Sequence, residues 1–180
     1  MAKRHDSRSV IYTLGHSTRS LDELVALLRE NSIRRVLDIR TIPRSRHNPQ
    51  FNRDTLSRAL HNRRIGYRHM KDLGGLRRAR PDSPNEGWEN ASFRGFADYM
   101  QTTRFEHGLE RAIGLAIERP SVLICAEAVP WRCHRSLVAD ALTVRGFTVV
   151  HILGHNKVSP HTITRFARVD GVQITYPRLS

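Results

Sequence analysis

Cysteine, lysine and long apolar runs are almost missing from this 180-residue chain. There are two cysteines and three lysines (Lys3, Lys71 and Lys157), and no apolar stretch approaches the length of about eighteen residues that a membrane span needs. Two cysteines do not make a disulfide framework. In a reducing compartment they read as buried filler, metal ligands or reactive thiols. The first residues, MAKRHDSRSV, are charged and lack the apolar core and cleavage site of a secretory leader, so a cytoplasmic protein with no membrane partner is expected. Aromatic residues are sparse, at 7%. Phe51 and Tyr67 are available for stacking on bases, but two rings weigh little against ordinary packing.

Acidic residues are also short, with 17 against 30 lysines and arginines, which leaves a net charge of +13 and a pI near 11.2. The excess is localised: residues 34–80 hold 14 basic and 3 acidic side chains, a net of +11. Almost all of it is arginine, whose planar guanidinium grips phosphate in bidentate fashion. A drift from lysine to arginine has compositional causes as well, so the clustering carries more meaning than the residue type. An anionic partner is expected, either nucleic acid or a phosphate-bearing ligand.

The apolar pattern alternates between strand and helix. Val10 to Leu14 reads as a strand, followed by the loop Gly15, His16, Ser17 and Thr18. Ser20 and Glu23 form a capping box ahead of a helix with Leu21, Leu24, Val25, Leu27 and Leu28 on one face. Val36 to Arg40 is a second strand, and a proline- and arginine-bearing loop then leads to a short helix near Asp54. A short strand is expected over residues 65–70, and Gly74 and Gly75 mark a turn that needs positive φ or close approach. Residues 77–92 read as a flexible insertion. Two helices come next, then a strand over residues 122–125, a helix bearing Leu137, Val138, Ala141 and Leu142, and a strand over residues 147–152. Strand, helix, strand implies parallel pairing, so the expected fold is α/β, a layered and mainly parallel sheet flanked by helices in a single domain. Residues 1–8 would be a basic arm, 9–153 the α/β domain, and 154–180 an extension packed on it.

The segment VLICAEAVPWRCHR, residues 122–135, concentrates the chemistry. A buried strand ends in Cys125 and Glu127, and Cys133, His134 and Arg135 follow at the start of a helix. Strand-to-helix loops at the carboxyl edge of a parallel sheet are where ligands bind in such folds. Cys133, at a helix start beside His134 and Arg135, is read as a candidate nucleophile or redox sensor, and Cys125 as a small core residue. His16, Asp38, Glu127 and His134 suit proton transfer, while Ser17, Arg40, Arg44, Ser45, Arg46 and Arg135 suit binding of phosphate or substrate. Asp38 and Glu127 have structural readings too, as partners of arginine. Cys125 to Arg132 has one residue too many for a Cys-x5-Arg phosphatase loop. The Cys and His spacing is not that of a zinc finger or of a nucleic-acid deaminase, so no metal site is assigned and no cofactor follows.

Together, YTLGHSTRSL (residues 12–21), VLDIRTIPRSRHNPQF (36–51), IGYRHMKDLGG (65–75), LICAEAVPWRCHR (123–135) and VVHI (149–152) resemble the family known as domain of unknown function 488. By motif, the resemblance places a site on His16, Ser17, Asp38, Arg40, Pro43, Ser45, Arg46, Cys125, Glu127, Cys133, His134 and Arg135, and implies no settled activity. Three functions stay open. They are an enzyme on nucleic acid or a phosphate-bearing nucleotide compound, a nucleic-acid-binding module without catalysis, and a thiol- or metal-dependent enzyme on a small molecule.

Overall fold

The computed structural model describes residues 10–179; the arm expected over 1–8 lies outside them. Strands β1 (Val10–Gly15), β2 (Arg35–Asp38), β3 (Gly66–His69), β4 (Ser121–Cys125), β5 (Thr148–Gly154) and β6 (Lys157–Pro160) form one sheet in the order β3-β2-β4-β1-β5-β6. Every pairing in it is parallel except β5 with β6. Helices α1 (Leu21–Glu30) and α2 (Arg53–His61) cover one face, and α3 (Ala91–Tyr99), α4 (Thr103–Glu118) and α5 (Arg135–Thr143) the other. The expected layered α/β fold is what the chain adopts.

The sheet divides the core because side chains alternate along each strand. On β4, Val122 and Ile124 join Leu24, Leu28, Leu56 and Leu60 on the α1/α2 side, whereas Leu123 and Cys125 join Phe96, Leu109, Leu137 and Leu142 on the other. Helix α1 starts where the capping box is expected: Ser20 Oγ accepts from Glu23 N at 3.1 Å, and Glu23 Oε2 accepts from Ser20 N at 2.7 Å.

Residues 77–92 do contain little regular structure, but the segment is pinned, which its composition does not suggest. Asp98 of α3, 4% exposed, accepts from Arg80 N (2.7 Å), Ser83 Oγ (2.6 Å) and Asn85 Nδ2 (2.8 Å). Asn85 Oδ1 in turn accepts from Tyr176 N at 2.9 Å. A buried carboxylate needs donors, and this loop supplies them.

The C-terminal residues add β6 and a hairpin of β7 (Arg168–Asp170) and β8 (Gln173–Thr175). Asp140 of α5, fully buried, holds them by accepting from Thr164 N (3.0 Å), Thr164 Oγ1 (2.7 Å) and Tyr176 OH (2.8 Å). A directed chain ends on the same carboxylate. His161 Nε2 donates to Asp140 Oδ1 (2.7 Å), His151 Nε2 to His161 Nδ1 (2.9 Å), and Thr13 Oγ1 to His151 Nδ1 (2.6 Å). Burial, with His161 and Arg135 nearby, lowers the His151 pKa to about 4.

A histidine held neutral in the native state opposes acid. Below about pH 6.5 the unfolded chain takes up protons that folded His151 refuses, so stability present above that pH is lost as pH falls toward 4. Melting temperatures are expected to drop as the pH falls from 6.5 to 5; a curve level between those values would contradict the buried neutral chain. Asp140→Asn should cost about 2–3 kcal/mol, read by chemical denaturation, because four donors lose a charged acceptor.

Candidate active site

Topology decides where the cleft opens. The chain leaves β1 and β2 for helices on one face of the sheet, and it leaves β4, which lies between them, for α5 on the other. Connections that depart to opposite faces part at the carboxyl edge and leave a crevice there. A cleft of about 620 Å³ occupies this edge. His16, Ser17, Arg40, Arg44, Ser45, Glu127, Cys133 and His134 all line it, as does Cys125. Asp38, Arg46 and Arg135 do not.

The floor is a pair of thiols. Cys133 Sγ lies 2.9 Å from Cys125 Sγ and donates to it, and Arg135 Nη1 donates to Cys125 Sγ at 2.8 Å. Burial pushes the Cys125 thiol up, but the hydrogen bond from Cys133 and the Arg135 guanidinium outweigh it and hold the pKa down to about 7. Cys133 moves the opposite way: its hydrogen bond to Cys125, and then burial, push it well above the ordinary value. The contacts favour Cys125 over Cys133 as the thiolate, since Arg135 Nη1 reaches Cys125 while Cys133 has only a long contact from Arg135 N. Cys133 was the expected reactive thiol because it stands at a helix start, yet the guanidinium reaches the sulfur eight residues earlier.

Arg135 is not a ligand-facing arginine. It is fully buried, and it donates through Nη1 to the Glu127 carbonyl and through Nη2 to the Ala128 carbonyl at 2.9 Å. It therefore pins the loop between β4 and α5 instead of meeting phosphate. Gly15 allows that loop to come close, since a Cβ there would fall on the Glu127 carbonyl.

Asp38 and His16 are likewise committed. Asp38, fully buried, accepts from Arg40 Nε (2.9 Å), Arg40 Nη2 (2.6 Å), Arg40 N (3.1 Å) and Tyr67 OH (2.6 Å). The Tyr67 hydroxyl is pushed far above its usual range by burial and the Asp38 charge, and stays a donor. Arg40 Nη2 also donates to the Phe51 carbonyl (2.8 Å), which leaves Nη1 toward His16 Nε2 at 3.3 Å. His16 Nδ1 donates to the Ser17 carbonyl (2.8 Å), and its ring stacks on Phe51 at 4.3 Å. Burial, and Arg40 after it, lower the His16 pKa. Asp38 lies off the cleft and holds Arg40 at its wall, whereas His16 lines the cleft and also contacts Arg40.

His134 stays available. Burial lowers its pKa to about 4 against hydrogen bonds to the Ile39 and Leu73 backbone; Nε2 lies 3.1 Å from the Ile39 carbonyl, and Nδ1 lies 3.5 Å from Cys133 Sγ. Gly75 packs against this ring, where a Cβ would sit 2.5 Å from Nδ1. Of the two conditions expected at Gly74 and Gly75, close approach is the one that applies, since neither has positive φ.

The rim is cationic. Arg44 is exposed beside Ser45, whose Oγ accepts from Asn48 N at 3.0 Å. Arg132, exposed on the same cleft, was missed as a binding residue because sequence spacing weighed it only against a phosphatase loop. Phe93 and Ser92, at the start of α3, also line the cleft, and nothing in their sequence neighbourhood signals it. Glu127 contributes the carboxylate at the opening. Among the described residues, no three His, Cys, Asp or Glu side chains are arranged to hold a metal ion.

Alkylation by iodoacetamide reports the thiolate directly. Its rate at Cys125 is expected to rise with a midpoint near pH 7, and Cys133→Ala, by removing the donor, should move that midpoint up. A midpoint near 9 in the wild-type chain would overturn the assignment. Gly75→Ala, by displacing the His134 ring, should destabilise the fold by about 1–3 kcal/mol in chemical denaturation.

Comparison with curated proteins and with solved structures finds no match. A family model does match, over residues 20–142. The span contains Arg40, Arg44, Cys125, Glu127, Cys133 and His134, while His16 and Ser17 precede it. Covering more than half of the sequence, it shows that the chain belongs to the family described as domain of unknown function DUF488.

Proposed function

We propose that this chain is an enzyme acting on a phosphate-bearing nucleotide compound held in nucleic acid, with Cys125 as its nucleophile. The observation that carries the reading is the placement of Arg40, Arg44 and Arg132 around one cleft whose floor is the Arg135-stabilised Cys125 sulfur. Guanidinium groups at the rim suit a phosphate, and a thiolate present at neutral pH suits attack on an electrophilic centre beneath it. His134 is neutral at that pH and Glu127 stands at the opening, so both are placed to handle protons.

Polymer is favoured over free nucleotide by charge outside the cleft. Arg46, Arg53, Arg58, Arg64 and Arg68 are exposed on the loop after β2, on α2, on the turn that follows it and on the edge strand β3. Among the described residues none of the five is in a salt bridge. Exposed arginines free of carboxylate partners suit a phosphate backbone, and binding through them releases counterions. No helix of the described residues is long and apolar enough to cross a membrane.

Fluorescence anisotropy with single- and double-stranded DNA and RNA across a salt series tests binding. The Arg44→Ala, Arg132→Ala double variant should bind about ten-fold or more weakly, with a salt slope smaller by roughly two. A bound oligonucleotide should also slow alkylation of Cys125. Equal binding by wild type and variant would remove the phosphate reading, and unprotected Cys125 in a saturated complex would place the ligand away from the thiol.

A further inference from the structure

The two cysteines of this chain flank a seven-residue loop, Ala126 to Arg132, yet their sulfurs meet at the cleft floor. The 2.9 Å between them exceeds a disulfide bond by roughly 0.9 Å, so each sulfur has less than about 0.5 Å to travel. No side chain stands between them, and both border the cleft, where a reagent of peroxide size enters. From this geometry we propose that Cys125 and Cys133 form a redox modification site, oxidised by hydrogen peroxide or an alkyl hydroperoxide to an intrachain disulfide. The site is independent of the substrate that the cleft takes.

The surroundings assign a role to each sulfur. Arg135 Nη1 is 2.8 Å from Cys125, whereas Cys133 receives only a long contact from Arg135 N at 3.5 Å. Cys125, as thiolate, attacks the peroxide. The O–O bond breaks, one oxygen stays on sulfur as sulfenic acid, and the other leaves as water or alcohol after taking a proton from solvent. Cys133 then attacks the Cys125 sulfur; the S–O bond breaks, and the hydroxide leaves as water with the Cys133 proton. Two thiols have lost two electrons and the peroxide has gained them. Reversal requires a dithiol reductant, and the guanidinium that stabilises the reduced thiolate favours it. Oxidation also leaves the cleft without its nucleophile.

Treating the full chain with a slight excess of hydrogen peroxide, alkylating it after denaturation and mapping its tryptic peptides without reductant tests the proposal. Cleavage after Arg132 separates the two cysteines, so the disulfide appears as two peptides joined. The expected result is that joined pair, a thiol count falling from two to zero without dimer formation, and full recovery with dithiothreitol. In Cys133→Ser, checked for its fold by circular dichroism, Cys125 should stop at sulfenic acid and be captured by dimedone. Two free thiols after treatment would overturn the proposal. So would wild-type Cys125 captured by dimedone or driven to sulfinic acid as readily as in Cys133→Ser, because Cys133 would then not resolve the intermediate. The wild-type arm needs no variant and no substrate, so its failure is distinct from any failure of nucleic-acid binding.

Discussion

A buried guanidinium without a carboxylate organises this molecule. Arg135 is fully buried, and among the described residues no acidic side chain lies within salt-bridge distance of it. Taking such a charge out of water costs several kcal/mol unless its surroundings answer it. The answer comes from two loop carbonyls and one sulfur, which fixes both the path of the loop after β4 and the ionisation of Cys125. The buried positive charge favours a thiolate at Nη1 over a thiol. Structure and reactivity at this place are one electrostatic requirement.

The arginine is effective because of topology. β4 is flanked by β2 and β1, whose following helices go to the opposite face, so its loop has free space on both sides. Gly15 removes the one Cβ that would block the loop from the β1 side. Gly75 does the same for the His134 ring on the other. Two missing side chains thus let three segments close around a cleft that their strands only bring near.

Elements that rest on local signals were legible in the sequence. The Ser20 and Glu23 box, the apolar face of α1 and the parallel order implied by strand, helix, strand all depend on residues within a turn or two of each other, and all are present. The convergence of His16, Arg40, Glu127 and His134 on one edge follows from that order. What was not legible depends on partners distant in the chain. Asp38 looks catalytic by type, and only the folded chain reveals that Arg40 and Tyr67 occupy it. Cys133 has the better local setting, while Cys125 has Arg135. Asp98 turns a polar segment that reads as flexible into a pinned one through donors 13 to 18 residues earlier.

The buried polar groups of the site are spent on one another. Asp38 holds Arg40 and Arg135 holds the loop after β4, so this buried network sets position. Arg40 shows the economy best: Asp38 fixes two of its nitrogens with an orienting fork, Phe51 takes a further bond, and one nitrogen remains directed at the cleft side of His16. A guanidinium held this way has lost its rotamer freedom before any anion arrives, so binding does not have to supply that ordering. Arg44 and Arg132 are the opposite case, exposed and unanchored, and fit a ligand whose contour varies from one encounter to the next. A rigid wall next to adaptable arms is consistent with the proposed reading, in which one phosphate is placed over the Cys125 sulfur while the rest of a longer anion is retained.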